Sequence, residues 1–203
     1  MKRPIALLVT EGALEIPAAL RILRMLGCDA AGIQGIDKGG RNRFWREARR
    51  YNQAAVHVGI VLGFADLESF PCPSGLLAKY LPHGQSQDFV LRIAEPMLES
   101  WFLADAEGMA RYLQVERRLF PVNPDRDVHP KRTLVNIARH SRRRALRADL
   151  VPDLGSFGVV GKGYTPAMTH FIETVWHPKR AAQRSESLRK AIAAIRATAS
   201  RGE

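Results

Sequence analysis

The sequence predicts an α/β fold: a mainly parallel sheet with helices on both faces, followed by a helical C-terminal region. Three observations support this fold class. Short apolar segments alternate with segments of helical periodicity in the first half of the chain, the apolar segments are too hydrophobic to face water on one side, and no obvious strand follows later. The 203 residues, 46% of them hydrophobic, suffice for one substantial core with a helical appendage.

Four segments are predicted as strands because they are short and apolar, and several are rich in β-branched residues. They are residues 4–10, 30–36, 56–64 and 88–93. The first helix is predicted between the first two strands, with Pro17 suited to its first turn and Gly27 to its end. A second, strongly basic helix is predicted over residues 42–52.

Helical patterns continue through the rest of the chain. The predicted helices cover residues 95–105, 106–115, 131–150, 166–176 and 178–199. A proline-rich, charged loop at residues 120–130 separates the first two of them from the others. The boundary near this loop divides the chain into an α/β core, residues 1–118, and a basic helical extension packed on that core, residues 119–203.

The chain is strongly basic. Its 31 lysines and arginines against 20 aspartates and glutamates give a formal net charge of +11. Such a charge attracts polyanions, and nucleic acid is therefore the expected partner. The alternative is an excess of arginine that merely keeps the protein in solution.

The expected location is a bacterial type of cytoplasm. Cys28 and Cys72 lie far apart and form neither a disulfide framework nor a zinc motif, which indicates a reducing compartment. The longest apolar stretches, residues 5–9 and 56–62, are far shorter than the roughly 20 residues of a membrane-spanning helix, so no membrane partner is expected. The start of the chain reaches the acidic Glu11 without a cleavage site, and we interpret it as a first strand rather than a signal peptide.

Carboxylates follow two of the predicted strands. Glu11 comes after the first strand, and Asp66 and Glu68 come after the third. The carboxyl ends of parallel strands meet at the ligand-binding edge of a sheet, and residues two apart in an extended chain point to the same side. A lone acid at a strand end is more commonly a helix cap, but three crowded carboxylates repel one another unless a hard cation such as Mg²⁺ or Mn²⁺ lies among them. The two motifs together therefore predict a metal site.

This order of motifs resembles the Toprim domain, whose hallmark is a strand-end glutamate followed, after a later hydrophobic strand, by Asp-x-Asp. Glu11 matches the glutamate, and Asp66 matches the first aspartate. Glu68 stands in the position of the second aspartate, where it keeps the carboxylate and is longer by one methylene group. The resemblance implies that these three residues are catalytic and bind Mg²⁺ or Mn²⁺.

The resemblance extends over nearly the whole chain to a bacterial family of Toprim-like proteins, a domain of unknown function related to the overcoming-lysogenization-defect nucleases. The family signature Glu-x-Trp-Leu-Leu-Ala-Asp is similar to Glu99-Ser100-Trp101-Phe102-Leu103-Ala104-Asp105. Its later landmarks are similar to Pro130-Lys131, Gly161-Lys162-Gly163-Tyr164 and Trp176. The resemblance implies a nuclease and leaves open a protein partner, either an ATPase or another defence component.

Two further acids lie in the signature segment. Glu99 and Asp105 are six residues apart and do not share a helix face, so both are not expected to bind one ion. Glu99 is a fourth candidate metal ligand, with a structural role as the alternative. Asp105 is expected to cap the helix that begins at Ala106.

Four basic residues are candidates for contact with a substrate phosphate: Lys38, Arg41, Lys131 and Lys162. The first two flank a Gly-Gly turn before a predicted helix, where free N–H groups bind anions, although an ordinary tight turn is the alternative. Lys131 opens a helix and could pair with the carboxylates or with a phosphate. Lys162 offers a point charge beside Tyr164, a candidate stacking platform.

The function predicted from these features is metal-dependent hydrolysis of a phosphodiester in nucleic acid. The alternative is a non-catalytic module of a defence-type system that binds nucleic acid or protein and retains the Toprim shell. The retained carboxylates favour the enzyme, whereas the missing second aspartate favours the module.

Overall fold

The structure is a computed structural model, and it describes residues 4–199. Residues 1–3 and 200–203, the outer ends of the two predicted segments of the chain, lie outside the described residues. The predicted α/β class is confirmed. Four parallel strands form one sheet in the order β2-β1-β3-β4, and they are β1 (Ile5–Thr10), β2 (Gln34–Asp37), β3 (Ile60–Asp66) and β4 (Phe89–Ala94).

Helices follow the strands and then make up the C-terminal region, as the sequence predicts. In the described part of the chain they are α1 (Glu15–Met25), α2 (Arg41–Val58), α3 (Pro73–Tyr80), α4 (Leu98–Ala104), α5 (Ala106–Leu113), α6 (Pro130–Arg139), α7 (Arg144–Leu150), α8 (Tyr164–Thr174), α9 (Pro178–Ala181) and α10 (Glu186–Ala199). The loop between α5 and α6 contains two short 3-10 turns, at 117–119 and 124–126.

The sheet separates two apolar cores because successive side chains of a strand point to opposite faces. Leu8 and Leu62 contribute to the larger core, which α1, α4 and the C-terminal helices cover. Val9 and Val61 contribute to the smaller core, which α2 and α3 cover. All seven residues of β3 are buried, as expected for a central parallel strand.

The α2–β3 boundary differs from the sequence prediction. Residues 56–58, which were expected to begin the third strand, are the last turn of α2, and Val56 and Val58 are 51% and 53% exposed. Their β-branched side chains resemble those of a strand but serve no core. Gly59 reverses the chain into β3. Its φ is 110°, a backbone conformation that residues other than glycine rarely adopt.

Two helical predictions also needed correction, and one helix was not predicted. The helix predicted over 131–150 is two helices, because the buried Ser141 interrupts it: its hydroxyl donates to the Leu113 carbonyl at 2.6 Å and accepts from the Arg143 N–H at 3.1 Å. The helix predicted over 178–199 is likewise divided into α9 and α10. Helix α3 was not predicted; Pro73 opens it and the Cys72 sulfur caps it.

Helix α4 joins the sheet to the C-terminal helices. All seven of its residues are buried. The Trp101 indole N–H donates to the Ser187 hydroxyl at 2.8 Å, and the Trp176 indole N–H donates to the Trp101 carbonyl at 3.2 Å. The C-terminal helices therefore share one apolar core with the sheet.

Asp105 fixes the end of this joint. It caps α5, as predicted, by accepting from the Gly108 N–H at 3.1 Å. Its carboxylate also accepts from the Arg180 guanidinium at 2.9 Å and from the His177 N–H at 2.9 Å. A single buried carboxylate thus satisfies donors from three places in the chain.

Within residues 4–199, no helix is both long enough and apolar enough to cross a membrane.

We expect Asp105→Ala to lower the free energy of unfolding by roughly 3 kcal/mol, because it leaves a half-buried guanidinium and two N–H groups without their acceptor. Urea denaturation followed by circular dichroism measures the change. Glu107→Ala is the control: this exposed carboxylate lies 3.7 Å from the same guanidinium, and its loss should change stability by less than about 0.5 kcal/mol. Equal effects of the two substitutions would contradict the assigned role of Asp105.

Candidate functional site

The site lies where the strand order reverses. The chain leaves β1 toward β2 on one side and returns to β3 on the other, so the carboxyl ends of β1 and β3 flank a crevice of the type in which open α/β sheets bind ligands. Glu11 directly follows β1, and Asp66 is the last residue of β3. The prediction that both acids lie at the ends of adjacent strands is confirmed.

Glu11 and Asp66 are linked through the backbone. The Glu11 N–H donates to the Phe64 carbonyl at 3.0 Å, which continues the ladder between β1 and β3. In return, the Glu11 carboxylate accepts from the Asp66 N–H at 3.4 Å. The Asp66 carboxylate accepts from the Leu98 N–H, at the start of α4, at 2.8 Å. Both side chains are therefore held by main-chain groups of the fold.

Glu99 reaches the same crevice from the first turn of α4. Its side chain is buried and has two partners: the Tyr164 hydroxyl donates to it at 3.0 Å, and the Lys131 ammonium lies 3.3 Å from it. The prediction that Glu99 extends toward the acidic residues thus matches the observed geometry. Tyr164, which the sequence suggested as a stacking platform, is instead buried and fixes Glu99.

Glu15 is a member of the site that the sequence analysis did not select. It is the first residue of α1, four residues after Glu11, and it is buried against the other acids. An acid in the first turn of a helix ordinarily faces solvent and complements the helix dipole. The Glu-x-x-x-Glu spacing across the turn after β1 was the available signal, but burial of Glu15 depends on packing that spacing does not reveal.

Glu68 lies at the mouth of the site rather than beside Asp66. Its φ of 53° takes the chain out of the extended conformation on which the same-side expectation depended. The side chain is 40% exposed, and its carboxylate lies 3.2 Å from the Arg41 guanidinium. Glu68 therefore lines the site from its rim, paired with a cation of the protein.

These residues enclose a cavity of about 310 Å³. Five of its lining side chains are acidic: Glu11, Glu15, Asp66, Glu68 and Glu99. Lys131 and Tyr164 line it as well. The cavity therefore concentrates acidic groups in a protein whose formal net charge is +11.

The crowding of the acids changes their protonation. Burial is the main cause that raises the pKa of Glu11 to about 7, and the charge of Glu68 raises it further. Burial likewise raises the pKa of Glu15 to about 7, with Glu99 adding to the effect. Burial and then the charge of Glu15 raise the pKa of Asp66 well above its usual value. The folded protein thus holds protons on this cluster at pH values where free carboxylates would have lost them.

Lys131 is the cation among these acids. Burial by itself would lower the pKa of its ammonium group, but the nearby Glu99 and Asp66 carboxylates raise it above its usual value. Its positive charge offsets part of the repulsion among the acidic side chains of the cavity, but one lysine does not balance five acids.

The donor chemistry of the cavity fits a hard divalent cation, since carboxylate oxygens are the preferred ligands of Mg²⁺ and Mn²⁺ and a cation would relieve their repulsion. Among residues 4–199, however, no three histidine, cysteine or acidic side chains are already arranged around a common point as metal ligands. Glu99 forms an ion pair with Lys131, and Glu68 forms one with Arg41. Binding of an ion would require these side chains to exchange partners.

The four predicted phosphate-binding residues separate into two pairs. Arg41 and Lys131 contact acids of the cavity, and Arg41 also donates to the Asp66 carbonyl at 3.0 Å. Lys38 instead binds Glu47 at 2.6 Å and the Tyr51 hydroxyl at 3.2 Å. Lys162 is almost fully exposed and binds Asp153 at 2.9 Å.

Comparisons with protein-family models, with curated proteins and with solved structures find no match to this chain. The Toprim resemblance therefore stays a prediction from the motifs. What the chain does has to be inferred from the residues of the cavity.

In chelator-treated protein, we expect the acidic cluster to lower the free energy of unfolding as pH rises. Glu11 has a pKa of about 7 in the folded chain and 4.5 as its ordinary value, so the folded state keeps a proton that the unfolded state releases. The stability it contributes is fully present below pH 4.5 and is lost as pH rises through about 7. Denaturation curves at several pH values measure this loss.

Glu11→Gln should remove roughly 2 kcal/mol of that decline, because a neutral amide does not titrate. Glu173→Gln, which removes an exposed carboxylate of α8, is the control and should leave the decline unchanged. A Glu11→Gln profile parallel to that of the wild type would show that Glu11 does not titrate abnormally.

Proposed function

We propose that this chain is a metal-dependent phosphodiester hydrolase that cleaves nucleic acid. The observation that carries the proposal is the set of four buried acids, Glu11, Glu15, Asp66 and Glu99, around one crevice at the reversal of strand order. Burying several carboxylates without enough counter-charge destabilises a fold, and such destabilised clusters are concentrated at functional sites. The motifs that resemble the Toprim domain support the same reaction class.

The proposed ligands of Mg²⁺ or Mn²⁺ are Glu11, Asp66, Glu68 and Glu99. When bound, a divalent ion supplies positive charge that polarises a phosphate oxygen and activates water. The Leu98 N–H orients Asp66 by donating to its carboxylate at 2.8 Å. Glu11, at the start of the crevice, is the ligand or the general base that takes a proton from the attacking water.

The cations at the rim have a role in substrate binding. Arg41 and Lys131 pair with Glu68 and Glu99, at 3.2 Å and 3.3 Å. If those acids bound an ion instead, both cations could pair with a phosphate, which has the opposite charge. Tyr164 keeps Glu99 oriented through its 3.0 Å hydrogen bond during this exchange.

The same two ion pairs favour a second candidate function. With Arg41 and Lys131 acting as the counter-ions, the cavity is partly neutralised by the protein itself. A module that binds nucleic acid or a protein partner in a defence-type system, without catalysis, would need no more than this. A protein that binds nucleic acid equally well in chelator and never cleaves it would be such a module.

The direct test is cleavage. We expect labelled DNA or RNA to be cut by the purified protein in Mg²⁺ or Mn²⁺ and to stay intact in chelator, with gel electrophoresis as the measurement. Asp66→Asn should lower the rate at least about a hundredfold, because it removes a charge at the proposed reacting centre. Glu173→Gln should cleave like the wild type. Cleavage that survives Asp66→Asn would overturn the assignment of the site, and no cleavage of either nucleic acid would favour the binding module.

Metal binding is tested separately by thermal stability. We expect Mn²⁺ or Mg²⁺ to raise the melting temperature of the wild type, since a ligand that binds only the folded state stabilises it by about 2.7 kcal/mol at a hundredfold excess over its dissociation constant. Asp66→Asn should abolish most of this rise. Without metal, the same substitution should stabilise the protein or leave it unchanged, because a neutral amide has neither the burial cost nor the repulsion that the carboxylate meets among the other acids. A destabilised apoprotein with no response to metal would make Asp66 a structural cap.

A further inference from the structure

The loop between α7 and α8 presents apolar side chains to solvent. Leu154 and Phe157 are as exposed as in a free chain, at 107% and 106%. Aromatic and aliphatic side chains placed so openly have no role in the core of this protein. They are therefore candidates for contact with a partner.

The loop is nevertheless anchored at its base. The Gly161 N–H donates to the Leu150 carbonyl at 2.9 Å, at the end of α7. A Cβ at Gly161 would collide with the Asp149 carbonyl, so glycine is required for this close approach. The exposed tip is thus held in place beside α6 by a closed base.

A groove of about 450 Å³ lies between this loop and α6. Arg132, Asn136 and Arg139 line it from α6, and they are exposed and share one helix face because they are four and then three residues apart. Asp153 is the acid among its lining residues, and it pairs with Lys162 at 2.9 Å. The groove therefore combines two guanidinium groups with an exposed aromatic ring.

The groove adjoins the acidic cavity along two segments of chain. Lys131 and Val160 line the cavity, and their neighbours Arg132 and Val159 line the groove. Tyr164, which binds Glu99 in the cavity, opens the helix that follows the loop. A chain molecule lying in the groove would therefore lie next to the cavity.

We propose that this groove binds single-stranded nucleic acid, with an unpaired base stacked on Phe157 and phosphates on Arg132 and Arg139. The proposal rests on the proposed function and names its substrate class. The basic face of α6 matches a phosphate backbone, and an open phenyl ring offers a stacking surface to a base. The strand then passes toward the acids, where the scissile phosphodiester lies.

Single strands fit these features better than other polyanionic partners. In a duplex the base faces are covered by their neighbours, so Phe157 would have nothing to stack on. A membrane-binding surface is flat, with apolar side chains that enter the lipid and cations around them. Arg132 and Arg139 line a concave groove instead.

The test measures binding by fluorescence anisotropy in chelator, so that metal and cleavage do not enter. The probes are an oligothymidine, an abasic oligonucleotide of equal length and a duplex of the same length. The variants are Phe157→Ala, Phe157→Trp and the double variant Arg132→Gln/Arg139→Gln. The matched control is Arg49→Gln/Arg50→Gln, which removes two exposed arginines from α2 on the opposite face of the sheet.

We expect the wild type to bind oligothymidine more tightly than either other probe. Phe157→Ala should weaken oligothymidine binding about fivefold or more and leave the abasic probe unaffected, and Phe157→Trp should preserve tight binding. Arg132→Gln/Arg139→Gln should weaken binding of both single-stranded probes. The slope of log affinity against log salt concentration should become shallower by about 0.7 for each lost phosphate contact. The control should bind more tightly than this double variant.

Three results would overturn the proposal: equal affinity for oligothymidine and the abasic probe, preference for the duplex, or an α2 variant that loses as much affinity as the α6 variant. Binding to anionic phospholipid vesicles that depends on Phe157, with no binding to oligothymidine, would also overturn it. Rejection of the groove proposal is distinguishable from rejection of the hydrolase, because cleavage that depends on Asp66 can persist when the groove does not bind single strands. Conversely, tight binding through Phe157 without any cleavage would support the groove and reject the hydrolase.

Discussion

Complete burial of α4 is the constraint on which the rest of the structure depends. This seven-residue helix lies between the sheet and the C-terminal helices, with no residue facing solvent. Its first turn carries Glu99 into the cavity and supplies the N–H that orients Asp66, while the following Asp105 binds the C-terminal region through Arg180. The packing energy of its apolar side chains offsets the electrostatic cost of the acids beside them. A site of this charge can therefore exist because it is built against a rigid apolar helix.

Much of the fold could be predicted from local sequence. Strands β1, β3 and β4 are largely apolar segments, and their alternation with helices sufficed to predict a parallel sheet with helices on both faces. Strand β2, Gln-Gly-Ile-Asp, is mostly exposed and begins at Gln34, four residues after the predicted start. The errors have a common physical origin. Val56 and Val58 have β-branched side chains but lie at the end of a helix, and residues 131–150 have a continuous helical pattern but break where Ser141 binds a distant carbonyl. Such boundaries are decided by tertiary contacts that overrule local propensity.

The site divides in the same way. Glu11 and Asp66 could be placed together because strand order alone brings the ends of β1 and β3 to one edge. The contact between Tyr164 and Glu99 joins residues 65 positions apart, and no local pattern encodes it. Lys38 and Lys162 have the charge expected of phosphate ligands, yet each is held by a nearby acid, Glu47 or Asp153. A sequence shows which residues are charged, whereas only the fold shows which residue each of them pairs with.

The closed base of the loop between α7 and α8 has a consequence for how such a protein diversifies. Because the hydrogen bond from Gly161 to Leu150 fixes both ends of the loop, residues between them can be lengthened, shortened or exchanged without disturbing the helices on either side. The acids belong to the sheet and to α1 and α4, elements whose change would damage the core. Changes within this loop would therefore alter the exposed surface around Leu154 and Phe157 while the elements that carry the acids keep their packing.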